Sequence, residues 1–106
     1  MDDYNQIEVP PSFLALFTSP SGHRLLESMA TVRQRYELCE DLAQTLTEQA
    51  SAMLFKSGGA EAEVLQNIER ALGATESPVQ PAEATWVVRR LAELLGWEVP
   101  QGTGPD

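Results

Sequence analysis

The sequence predicts an all-α fold, a small helical bundle in which one long central helix packs against two shorter antiparallel helices, with a further short helix at the N-terminus. Three observations carry this. Almost no segment alternates apolar and polar with period two, and Val and Ile are sparse. A stretch from about Arg24 to Lys56 contains neither Gly nor Pro. Its apolar or small residues recur at Leu25, Met29, Val32, Tyr36, Cys39, Ala43, Leu46, Ala50 and Met53, alternating steps of four and three that place them on one helical edge. Two shorter helical patterns follow through brief connections, which favour antiparallel neighbours.

Taken in order, residues 1–9 read as a flexible N-terminus, residues 10–97 as a single helical domain and residues 98–106 as a disordered tail. Pro10 and Pro11 precede SFLALF, which suits about two helical turns begun on a proline whose φ is already set. TSPSG, Thr18 to Gly22, is a turn by composition. At 1.5 Å per residue the long helix would run about 50 Å. A break near Thr31 is the alternative, because Thr31 and Gln34 have capping-box spacing. Ser57-Gly58-Gly59 stops the helix, with Lys56 in its last turn where a cation suits the dipole.

Ala60 to Leu72 forms the third helix, with Glu61 and Glu63 near its start, Leu65, Ile68 and Leu72 on one face, and Gly73 at its end. Ser77 or Gln80 supplies the next N-cap, with Pro78 or Pro81 at the first helical position. The fourth helix covers about Pro81 to Leu95, with Ala84, Val88, Leu91 and Leu95 on its main stripe. Gly96 suits a left-handed stop that folds Trp97 back as the hydrophobic partner of a Schellman end.

At 106 residues the chain suits one modest core, and its 42% hydrophobic content is ordinary for a globular protein. A net charge of −9 opposes direct binding to nucleic acid or anionic lipid, since phosphate contacts need clustered Lys and Arg. The opening MDDYNQIEVPP lacks a basic n-region and an apolar run, so no signal peptide is expected. The longest apolar run, FLALF, falls far short of the roughly 20 residues that span a bilayer. The single cysteine cannot form an internal disulfide. Cytoplasmic location is the resulting expectation.

The segment RYELCEDLAQTL sets Cys39 among Glu37, Glu40 and Asp41 and raises the question of a metal or redox site. Helical geometry turns Glu37 and Asp41 roughly 160° away from Cys39, and Glu40 about 100°. The four side chains therefore cannot converge on one ion, and His23 lies well along the axis from them. A buried thiol acting as an apolar filler is the expected role. Glu37 and Asp41, one turn apart on the outer face, lack the apolar pocket that a catalytic carboxylate pair needs.

No G-x-x-x-x-G-K-[ST] loop, G-x-S-x-G elbow or H-E-x-x-H helix occurs. His23, in the turn SGHR, reads as a surface histidine. Neither a catalytic residue, a metal site nor a cofactor is expected. The fourth helix is more informative, because Trp86, Arg90 and Glu93 form a line opposite Val88 that Trp97 extends. A helix apolar on several faces is usually central, which would make the tryptophans core. The functional alternative makes Trp86, Arg90 and Trp97 a partner-binding patch, since Trp and Arg dominate interface hot spots and Arg90 is placed to stack on Trp86.

IEVPPSFLALF, RYELCEDLAQTLTEQA and TWVVRRLAELLGW together resemble a family of small acidic bacterial proteins often labelled "ATPase with chaperone activity". The resemblance runs from about Ile7 to Trp97. It implies a bacterial cytoplasmic protein and, by its label, nucleotide-linked chaperone work. The chain departs from that label in having no Walker motif, so an accessory or partner of such a machine is the expected meaning. The leading expectation is a non-enzymatic protein that binds another protein as a regulator or adaptor, monomeric in preference to a homodimer. The alternatives are a nucleotide-dependent chaperone-type ATPase and an acidic mimic of nucleic acid.

Overall fold

A computed structural model describes residues 8–74 and 76–99. Of the flexible terminus expected over residues 1–9 and the tail expected over residues 98–106, residues 1–7 and 100–106 lie outside the described residues. The protein is an all-α bundle of α1 (Pro11–Leu14), a 3-10 turn (Ala15–Phe17), α2 (Met29–Ser57), α3 (Glu61–Leu72) and α4 (Pro81–Leu95). As expected, α2 is the long helix. By packing, the chain forms two compact units that meet in sequence between Leu38 and Cys39.

The first unit is built on Phe13. Extended Pro10 and helical Pro11 start α1, and the Pro10 carbonyl accepts from the N–H groups of Phe13 and Leu14, each at 3.0 Å. Thr18 ends the 3-10 turn in extended conformation and donates its hydroxyl to the Leu14 carbonyl at 2.8 Å. Phe13 is completely buried. Its ring centroid lies 5.6 Å from those of both Phe17 and Tyr36, with Tyr36 edge-on at 65°.

One boundary differs from the sequence expectation. The long helix begins at Met29, not near Arg24. Residues 17–26 instead double back: Thr18 bridges Leu25, the Ser19 N–H donates to the Arg24 carbonyl at 2.8 Å, and the Leu26 N–H donates to the Phe17 carbonyl at 2.7 Å. Gly22, at φ 81°, supplies the turn. Leu25 therefore belongs to this loop rather than to the helical edge. The physical reason is a cap at Ser28, whose Oγ accepts the Thr31 N–H at 3.1 Å while its carbonyl accepts the Val32 N–H at 2.9 Å. Thr31 is thus the third helical residue rather than a cap, and α2 runs through it unbroken.

The second unit comprises the rest of α2 with α3 and α4. Cys39, Ala43 and Ala50 are fully buried on the inner edge of α2, with Leu46 and Met53 half-buried between and beyond them. Ala50 joins Val64, Leu65 and Ile68 of α3 and Val88, Leu91 and Ala92 of α4 in one core. An alanine at this point lets neighbouring helices approach closely, because little side chain stands between the backbones. The Thr85 hydroxyl also ties α4 to α3, donating to Glu69 at 2.9 Å.

Helix α3 stops at Gly73 with φ −87°, an ordinary conformation that needs no glycine. α4 starts on extended Gln80 with Pro81 next, and the Gln80 N–H donates to the Glu83 carboxylate at 2.9 Å. It ends at Gly96 in the left-handed conformation, φ 74°. There the Trp97 N–H donates to the Ala92 carbonyl at 2.9 Å and the Gly96 N–H to the Glu93 carbonyl at 3.2 Å, the paired bonds of a Schellman end. The turn brings the Trp97 side chain back onto the core.

Candidate functional site

The three anchors singled out by sequence have different surroundings. Trp86 is only 9% exposed and leaves a partner almost nothing to touch. Trp97 is half-buried against the core at the end of α4. Arg90 reaches α2, where its Nε and Nη2 donate to the two carboxylate oxygens of Glu40 at 2.8 and 3.1 Å. Its Nη1 donates to Glu93 on the next turn at 3.2 Å. Arg90 thus spends its planar fork on holding two helices together.

That pairing is electrostatically tuned. The hydrogen bond from Arg90 holds the Glu40 carboxyl below the usual carboxylate range, although burial works the other way, and the Gln44 amide adds a second bond at 2.8 Å. The same bond from Glu40 raises the Arg90 guanidinium still further. Glu40 sits on the flank of α2, where helical geometry puts it. Sequence could not reveal its partner, because the two residues lie fifty positions apart and nothing local sets the register of α4 on α2.

Cys39 is fully buried, while Glu37 and Asp41 face solvent. The thiol and the acids are divided between opposite sides of the helix, in the manner its period requires. Among the described residues no three His, Cys, Asp or Glu side chains gather closely enough to hold a metal ion. His23 is exposed in its loop. Among the described residues no helix is long and apolar enough to cross a membrane.

Two features escaped the sequence reading. Glu83 is 1% exposed, a carboxylate buried at the start of α4. Its signal was present in Gln80-Pro-Ala-Glu83, an N-cap followed three residues later by an acid. The second is Phe55, which stands 89% exposed in the last turn of α2. It lies two residues past Met53 and so roughly 200° round the helix from the buried edge. Helical phase alone therefore marked it as an aromatic ring on the wet side.

Phe55 closes an outer line on α2 formed by Asp41, Thr45, Glu48 and Ala52, all exposed. Neither Asp41 nor Glu48 has an ion-pair partner among the described residues. Exposed apolar residues also occur in the first unit, at Leu26 (56%) and Met29 (39%). Fold and surface together define a small acidic all-α bundle whose most prominent outward apolar group among the described residues is the phenylalanine at position 55. No family model, curated protein or solved structure matches the chain.

Proposed function

We propose that the protein is non-enzymatic and acts by binding another protein, as a regulator or adaptor. The observation that carries this reading is the 89% exposure of Phe55 on a helix whose opposite edge carries the fully buried Cys39, Ala43 and Ala50. A phenylalanine left in water forgoes about 1.5–3 kcal/mol that burial would return, and a partner's pocket can supply that burial. Trp86, Arg90 and Trp97 contribute chiefly by fixing α4, with Arg90 and Trp97 retaining some outward surface. The resemblance in sequence makes an accessory role beside a bacterial cytoplasmic chaperone machine the preferred setting. Nucleic acid is a poor partner for so acidic a surface.

The test is comparative affinity capture from the native extract with the wild-type protein and Phe55→Ala. Both baits should give the same far-UV circular dichroism, since the ring contributes little to packing. At least one protein captured by the wild type should fall by about tenfold or more with the variant. Identical captured sets from the two baits would overturn the proposal.

A further inference from the structure

We infer that the docking element is the outer line of α2 from Asp41 to Phe55, and that its occupant is a basic amphipathic helix of another protein. This rests on the binding reading above and names the partner's chemistry.

The line Asp41, Thr45, Glu48, Ala52, Phe55 advances by steps of four and three, so its members stack along one side of the helix. It covers about 21 Å, the length of a partner helix of roughly 14 residues. Thr45 and Ala52 are small and let a second helix lie close. Asp41 and Glu48 are two turns apart, about 10.5 Å, and neither is neutralised by an ion pair within the described chain. Lys56, the cation in the last turn of α2, follows Ala52 by four residues and so borders the C-terminal end of the line, about 12 Å along the axis from Glu48.

Charge selects the occupant. A partner helix with Lys or Arg seven residues apart meets both carboxylates, and an apolar cleft between its remaining side chains receives Phe55. A second copy of this chain fits badly. In a parallel pairing Asp41 meets Asp41 and Glu48 meets Glu48. In an antiparallel pairing centred on Glu48 the two Glu48 carboxylates oppose each other, while each Asp41 is set beside the partner's ring. Both arrangements place like charges or a carboxylate against an aromatic face, which penalises self-association.

The experiment is selection of a displayed library of helical peptides, about 14 residues long with randomised outward positions, on the full-length wild-type protein. Enriched peptides should carry Lys or Arg at seven-residue spacing beside an apolar face. Their affinity should fall at least about tenfold for Phe55→Ala and about fivefold for the double variant Asp41→Asn/Glu48→Gln. It should be unchanged for Glu76→Gln/Glu98→Gln, which removes as much charge outside α2. Enriched peptides that are neutral or acidic, or that bind all the variants equally, overturn the inference. So does sedimentation showing a wild-type dimer that Phe55→Ala dissolves, because the occupant would then be a second copy. Phe55-dependent capture from the extract without basic peptides from the library leaves the binding function standing and removes only this partner. Capture insensitive to Phe55 removes both.

Discussion

The ion pair between Glu40 and Arg90 offers a quantitative check on how α4 is registered against α2. A double-mutant cycle with Glu40→Gln, Arg90→Met and their combination isolates the coupling, because the separate contact of Arg90 with Glu93 cancels. The two bonds, at 2.8 and 3.1 Å, are short and well matched, which favours a strong interaction. The side chains are nevertheless 20% and 33% exposed, so solvent screens part of it. A fully exposed pair is worth roughly 0.2–1 kcal/mol and a hydrogen bond to a charged group about 1.5–3 kcal/mol, which places this coupling near 1 kcal/mol at pH 7. Urea unfolding followed by circular dichroism reads it directly.

Its pH dependence has a defined sign. Glu40 titrates lower in the folded protein than in the unfolded chain, so the unfolded chain takes up that proton first as pH falls. The pair's contribution is complete above the ordinary carboxylate value of 4.5 and is lost as pH drops through the lower folded value. A coupling below about 0.3 kcal/mol at pH 7, within the scatter of additive sites, would refute the registration of the two helices by this pair.

Other expectations follow from single positions. Gly96→Ala should cost about 1 kcal/mol, because φ 74° is unfavourable for a residue with a Cβ even though that Cβ meets no other atom. Gly73→Ala should be neutral or stabilise by about 0.5 kcal/mol, since φ is ordinary and the added carbon would rest at 3.5 Å from the Glu69 carbonyl. Thermal unfolding of the two variants side by side checks the contrast, at about 4–8 °C per kcal/mol. Leu91→Ala, at a fully buried core position, should cost about 3 kcal/mol in urea unfolding, a large part of the roughly 5–15 kcal/mol typical of a domain. The Cys39 thiol should react with a water-soluble disulfide reagent only as fast as the protein opens, with rapid reaction in denaturant.

Much of the fold was legible because helix period, glycine stops and prolines at first positions are local signals. The seam from Val32 to Met53, the double-glycine stop after Ser57 and the Schellman end at Gly96 all appear where the spacing puts them. The start of α2 differs from the sequence expectation because absence of Gly and Pro only permits a helix. The backbone of Arg24 and Leu26 found partners across a turn, and Ser28 took the cap. The surroundings of Trp86 and Arg90 could not be read, since an amphipathic pattern with several apolar sides does not say which side another helix covers. Phe55 was readable in principle. Its signal is its phase, which sets it on the side of α2 away from the buried edge.

Helix α2 turns one side inward and leaves the other bare. Alanine methyl groups report this directly, because Ala43 and Ala50 lie on the inner edge and Ala52 on the outer line. With methyl-labelled alanine and a soluble paramagnetic agent, the Ala52 signal should broaden strongly while those of Ala43 and Ala50 stay sharp. Equal broadening of all three, or protection of Ala52 in the free protein, would contradict it.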